Sequence, residues 1–132
     1  MQIPKEPVRV ALIGAGHRSN RIYKPLFPGL TPWIQVVAVC DPVKEHADSM
    51  AETLGAKAYY QIQDLVKAEE IEAAIVVAPI PLHYPYSVYL SEHKIHNLIE
   101  TTWCSTLGQA RAMIDAAHRN GVYTRVAENF FR

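Results

Sequence analysis

The chain has 132 residues, 49% hydrophobic and 20% charged, with thirteen basic and thirteen acidic side chains that cancel. That length fits one domain with one ordinary core, and the balanced charge excludes the strong field of a nucleic-acid or membrane-surface binder. The longest apolar runs, such as AAIVVAPIPL, are too short and too broken by proline to span a bilayer, and the opening MQIPKEPVRV lacks the apolar segment of a secretory signal.

The elements follow a steady alternation. VRVALIG (Val8 to Gly14) is a continuous apolar run bounded by glycine, the pattern of a strand buried on both faces. A polar, partly basic segment follows, then a second such run, IQVVAVC (Ile34 to Cys40). Pro42 suits the start of a helix whose apolar positions Val43, Ala47, Met50, Ala51 and Leu54 recur at helical spacing before Gly55. KAYY predicts a short third strand, a brief helical stretch surrounds Leu65 and Val66, and EAAIVVA predicts the fourth strand. YPYSVYLSEH reads as a helix with Pro85 near its start, and NLIE as the fifth strand. STLGQARAMIDAAHRNG is the clearest helix, with Thr106 and Gln109 as a capping box, Asn120-Gly121 as its end, and Leu107, Ala110, Ile114 and Ala117 as its buried stripe. VYTRVA predicts a sixth strand. Strands apolar throughout and separated by helices imply an α/β fold of three layers, a doubly wound parallel sheet of about six strands with helices on both faces.

The first strand ends in GAGHRS, Gly14 to Ser19. In a dinucleotide fingerprint the first glycine permits the tight strand-to-helix turn, the second lets the backbone approach a pyrophosphate, and the third lets the helix pack close to the sheet. Gly14 and Gly16 match the first two, while Ser19 replaces the third and sets the helix slightly further off. The amides at the helix start attract phosphate. The alternative is that the glycines serve only a tight turn. Asp41, at the end of the second strand and 25 residues beyond Gly16, is placed to accept the ribose hydroxyls of adenosine or to cap the helix at Pro42. Pro42, Val43 and then Lys44 follow it, with no arginine to favour a 2′-phosphate, which leans the cofactor toward NAD over NADP. Arg18, Arg21 and Lys24 follow the glycines and are available either to phosphates or to solvent.

Cys40 and Cys104 have no metal or redox spacing and read as two reduced thiols of a cytoplasmic protein. His17, His46, His93, His96 and His118 show no ligand spacing to one another, and no metal site is expected.

With GAGHRS, AVCDP, VVAPIPLH and IETTW in this order, the chain resembles the Gfo/Idh/MocA oxidoreductases, and looks like their N-terminal NAD(P)-binding Rossmann domain from about Val8 to Arg132. The family's fourth strand ends in Thr-Pro or similar, with a histidine four residues after the proline. Here Ala78 stands for the threonine, and Pro79 and His83 fit. The resemblance assigns cofactor contact to Gly14, Gly16, His17, Arg18, Asp41, Ala78, Pro79, His83, Glu100 and Thr101. His83 could instead contact the sheet edge or cap the following helix. Trp103 suits packing on the cofactor or in the seam between sheet and helix. ENFFR fits the family's Asn-x-x-Arg segment through Asn129 and Arg132.

Two departures stand out. The family's fifth strand ends in Glu-Lys-Pro, its lysine lying near nicotinamide and substrate; here the triplet is Glu100-Thr101-Thr102, so no catalytic residue is assigned. The family also carries a larger second domain that binds substrate, and the 132 residues make a single dinucleotide-binding domain without it. The resemblance therefore implies NAD-dependent hydride transfer on a sugar- or polyol-like substrate in a two-domain enzyme, with this chain alone inactive. Alternatives are a non-catalytic nucleotide-binding or assembly module, and a Rossmann domain for CoA or S-adenosylmethionine. An exposed apolar patch at the sheet end would favour a homodimer.

Overall fold

Val10 and Leu12 face one side of the first strand and Ala11 and Ile13 the other, and all four are buried. This is why the strand is apolar from Val10 to Ile13, with Arg9 the exception near its start: it lies at the centre of a sheet covered on both faces. The computed structural model describes residues 4–128. Its strands are β1 (Val8–Ile13), β2 (Ile34–Cys40), β3 (Lys57–Tyr59), β4 (Ala73–Val76), β5 (His96–Glu100) and β6 (Thr124–Ala127). They form one six-stranded sheet in the order β3-β2-β1-β4-β5-β6, with every pairing parallel.

Two apolar layers flank the sheet. On one face Val10, Leu12, Val39 and Ile75 pack with Tyr23, with Phe27 of α1 (Phe27–Leu30) and with Met50 and Ala51 of α2 (Lys44–Leu54). On the other, Ile13, Ala38, Val76 and Ile99 pack with Leu65 of α3 (Ile62–Ala68), Leu90 of α4 (Ile80–Glu92) and Met113 of α5 (Leu107–Asn120). The doubly wound, three-layer architecture expected from the alternation is the one observed.

Several local expectations change. The helix after the glycines is only a π-helical turn, Ser19–Tyr23, followed by the four-residue α1. Side chains compete for its carbonyls: Ser19 Oγ donates to Gly14 O, and Asn20 Nδ2 to both Ala15 O and Gly16 O. The turn then closes one residue wide, Lys24 N–H donating to Ser19 O, and Pro25, which has no N–H, stops regular propagation. Ser19 is fully buried, so its side chain is absorbed by the turn it was expected to loosen. Helix α4 starts at Ile80, earlier than expected, with Pro79 at its cap and Pro85 inside it.

The buried stripe of α5 is rotated from its expected position. Met113, Ala116 and Ala117 are buried and Ala110 half-buried, whereas Leu107 is 81% and Ile114 51% exposed. The buried face pairs Met113 with two alanines, and the branched Leu107 and Ile114 are left outward. The Thr106–Gln109 box forms in part: Thr106 Oγ1 accepts from Gln109 N–H at 3.2 Å, but Gln109 Oε1 reaches Ser105 N–H at 2.9 Å, one residue before the cap. Asn129 and Arg132 lie outside the described residues.

Candidate dinucleotide cleft

The strand order reverses at β1, whose neighbours β2 and β4 carry the chain away in opposite directions. The loops leaving β1 and β4 therefore part at their carboxyl ends, the place where a doubly wound sheet opens a binding crevice. A cleft of about 460 Å³ lies there. A hollow of about 560 Å³ near Pro7, Ile34 and Gly55 sits at the opposite, amino ends of β1 and β2.

Gly14 forms the floor. Its φ of +97° lies in the region L side chains rarely adopt, and a Cβ there would stand 2.5 Å from the Val77 carbonyl oxygen. Gly16 differs. A Cβ on it would meet nothing within 4 Å, because the space beyond belongs to the cleft. The two glycines thus differ: Gly14 is required where loop packs on loop, and Gly16 leaves open space beside the backbone.

Asp41 ties the loop to the second strand. Its Oδ2 accepts the Ala15 N–H at 2.7 Å and its Oδ1 the Val43 N–H at 2.9 Å, so one buried carboxylate anchors both the glycine loop and the start of α2. The helix begins at Lys44, two residues later than expected, with Val43 at its N-cap and no side-chain cap. Asp41 therefore holds the turn before the helix instead of capping it, and it stands in the cleft wall. Each oxygen accepts one protein N–H and retains capacity for a second donor, such as a ribose hydroxyl.

His17, Arg18, Ala78 and Pro79 line the same cleft. Arg21 and Lys24 are not in its wall: Arg21 is exposed and Lys24 half-buried on the π-helical turn. His83, Glu100 and Thr101 lie outside the lining. His83 is 1% exposed and joins two loops, its Nε2 2.7 Å from Ala78 O and its Nδ1 2.8 Å from Thr102 O. It braces the β4 and β5 loops against each other. Trp103 is half-buried and packs against the apolar layer that includes Met113.

Glu100 is buried and fully engaged. Arg18 Nε and Tyr23 Oη donate to Oε2 at 3.0 and 2.9 Å, while Arg18 Nη2 and Thr101 N–H donate to Oε1 at 3.1 and 2.9 Å. Burial by itself would raise its pKa; the bonds from Arg18, the Thr101 amide and Tyr23 outweigh burial and hold the carboxyl below its ordinary range. Burial, and then the bond to Glu100, push the Tyr23 phenol well up. Thr101 brings no charge to this end of β5, but Arg18 does, reaching across from the glycine loop.

The cleft residues not singled out by the sequence patterns include Tyr60, Leu82 and Tyr86. Tyr60 had a signal, since it directly follows β3, whose end lies beside that of β2. Leu82 and Tyr86 are one helical turn apart on α4, a spacing that says "helix face" and not "cleft". Burial, with lesser contributions from Asp41 and Asp64, pushes the Cys40 thiol up to about 12.

The oxidoreductase family with an NAD-binding Rossmann fold, Gfo/Idh/MocA, matches residues 8–128. The chain belongs to the Gfo/Idh/MocA oxidoreductase family. It is 30% identical to D-glucoside 3-dehydrogenase of Escherichia coli over 116 residues, 87% of this chain and 33% of that protein. It is 25% identical to inositol 2-dehydrogenase of Rubrobacter xylanophilus over 121 residues, 88% of this chain and 33% of that one. The crystal structure of the WlbA dehydrogenase from Chromobacterium violaceum, in complex with NADH and UDP-GlcNAcA, superposes with a TM-score of 0.89 at 22% identity, over 95% of this chain and 36% of that one. The chain thus spans about a third of the length of these relatives, and the span is the NAD-binding Rossmann domain of this Gfo/Idh/MocA protein.

Proposed function

We propose that this Gfo/Idh/MocA domain holds NAD(H) in the β1–β4 cleft and serves hydride transfer between nicotinamide and a hydroxyl-bearing carbon of a sugar- or polyol-like substrate. The observation that carries the reading is the pairing of Asp41 with the glycine loop: one carboxylate fixes the phosphate cradle and stands in the ribose wall. When bound, the cofactor supplies the hydride chemistry. The protein's part is positional. Asp41 orients the ribose, Gly16 leaves room for pyrophosphate, and Arg18, half-exposed and held by Glu100, offers its remaining N–H groups as the cation of the cleft. His83 keeps the β4 and β5 loops at fixed separation. His17, Ala78 and Pro79 form further wall, with Glu100 and Thr101 as support from behind.

The 132 residues taken alone are inactive in this reading, since they span a third of the dehydrogenases they resemble. A lysine at position 101 does not restore turnover. The substrate class comes from the sugar and polyol dehydrogenases among the relatives. A compartment that keeps Cys40 and Cys104 reduced, the cytoplasm, suits the two free thiols. Among the described residues no helix is long and apolar enough to cross a membrane.

Calorimetric titration of the chain with NAD⁺, NADH and NADP⁺ tests the reading. Micromolar binding of NAD(H) with weaker NADP⁺ supports it; absence of binding to all three overturns it. The other reading, a non-catalytic nucleotide-binding or assembly module, draws on Thr101, which leaves the end of β5 without the family's cation. Self-association into a homodimer belongs with that reading, and sedimentation equilibrium reports on it.

A further inference from the structure

Lys44 is the first cation in the chain after Asp41, on the opening turn of α2 and beside the ribose wall. A lysine there would ordinarily welcome a 2′-phosphate. Its ammonium is already occupied. Nζ lies 2.6 Å from Asp48 Oδ2 and 2.7 Å from Tyr60 Oη, and the Tyr60 hydroxyl donates to Asp48 Oδ1 at 2.8 Å. The three groups close a ring of hydrogen bonds, with the Lys44 ammonium also 4.8 Å from the centre of the Tyr60 ring. Tyr60 belongs to the cleft lining together with Asp41, Pro42 and Val43, so the ring of bonds stands at the ribose end of the site.

We propose that Lys44, Asp48 and Tyr60 form a latch that withholds the nearest lysine from the 2′ position of the adenosine ribose, adding to Asp41 a second determinant of NAD over NADP. The inference rests on the proposed cofactor site and deepens it. Asp41 disfavours a 2′-phosphate by charge repulsion, and the latch keeps the available countercharge turned toward Asp48.

The magnitude follows from exposure. Lys44 and Asp48 side chains are 65% and 43% exposed, so the pair is solvent-screened and the latch biases the choice instead of locking it. His46 also stands near, its Nδ1 3.7 Å from Asp41 Oδ1, and it is the same in the parent chain and in every variant of the test.

The test is titration of the chain and three variants with NAD⁺ and NADP⁺ at low and at physiological salt. In Asp48→Ala the lysine is released, and NADP⁺ should bind about three- to tenfold more tightly while NAD⁺ changes less than about twofold, a gain that shrinks with salt. In the double variant Lys44→Ala/Asp48→Ala the gain should vanish. Tyr60→Phe keeps the ring and removes one tether, and should give a smaller gain of the same sign. Unchanged NADP⁺ affinity in Asp48→Ala overturns the latch. An equal gain in the double variant also overturns it, because the effect then comes from losing the Asp48 charge alone. If the parent chain binds NAD(H) and the variants do not shift, only the latch falls. If the parent binds no dinucleotide, the cofactor reading falls and the latch with it.

Discussion

Arg18 grips Glu100 with both prongs of its guanidinium, Nε to Oε2 at 3.0 Å and Nη2 to Oε1 at 3.1 Å, across 82 residues of sequence. The bond ties the glycine loop to the carboxyl end of β5. Tyr23, from the same turn as Arg18, adds a third hold on the carboxylate. The family's lysine is absent at position 101, yet the carboxylate before it has a cation.

Glu100→Gln is expected to destabilise the fold by about 1–2 kcal/mol, since charge-assisted bonds to a buried carboxylate are replaced by weaker ones and one donor faces the amide nitrogen. Urea unfolding of the variant measures it. Dinucleotide affinity should fall as well, because Arg18 loses its anchor at the cleft. Normal affinity in a destabilised variant would assign the pair to stability alone.

The same pair predicts an acid limb. The Glu100 carboxyl lies below its ordinary value of 4.5 in the folded state, so its stabilisation is full above about that pH and is lost as pH falls through the lowered folded value. Tyr23 acts oppositely: its raised phenol contributes below its ordinary value of 10.0, and that contribution drains away as pH rises beyond it. Thermal unfolding from about pH 3 to about pH 11 should therefore show both limbs, and Glu100→Gln should flatten the acid one.

Gly14→Ala and Gly16→Ala should separate folding from binding. At Gly14 the added Cβ meets a backbone carbonyl at 2.5 Å under a φ of +97°, so the substitution is expected to lose more than about 2 kcal/mol of stability. At Gly16 the Cβ enters open space, so the variant should fold with near-parent stability and bind NAD(H) more weakly. Circular-dichroism melts combined with titration distinguish the two. Equal melting temperatures would refute the packing role of Gly14.

Asp41→Ala removes an acceptor from two amides as well as the ribose ligand. Its expected signature is weaker NAD⁺ binding, a narrowed preference over NADP⁺ and a lower melting temperature together. Asp41→Asn keeps one carbonyl oxygen and should recover part of the stability and little of the affinity. Unchanged affinity for both dinucleotides in either variant would leave Asp41 with a role in holding the two turns only.

Cys40 lines the cleft but should resist alkylation at neutral pH, since burial and the nearby acids push its thiol up to about 12 and little thiolate exists. Iodoacetamide followed by mass spectrometry should label Cys104 well before Cys40. Fast labelling of Cys40 would show that the cleft opens more widely than its described walls allow.

The order and type of nearly every element were legible in the chain because the pattern repeats locally. Both-face burial makes β4 apolar throughout and β1 and β2 apolar apart from Arg9 and Gln35, and αL glycines mark where α2 and α5 end. The glycine loop and Asp41 were legible for the same reason: the end of a strand and the turn after it are properties of neighbouring residues. The face that α5 buries was not legible. Leu107 and Ile114 have the right spacing, but Met113 and Ala116 join Ala117 on the buried face, and which side of α5 is covered is set by what packs against it.

Tertiary structure alone decided the partners of charged groups. Arg18 meets Glu100, His83 spans Ala78 and Thr102, and Lys44 turns to Asp48 and Tyr60, although each was also free, by sequence, to face solvent or ligand. Hydrophobic periodicity is short-ranged and written along the chain, so it determined the fold of this protein from the sequence. The direction of a long charged side chain depends on which strand end comes to lie beside it, and that is settled only when the sheet assembles.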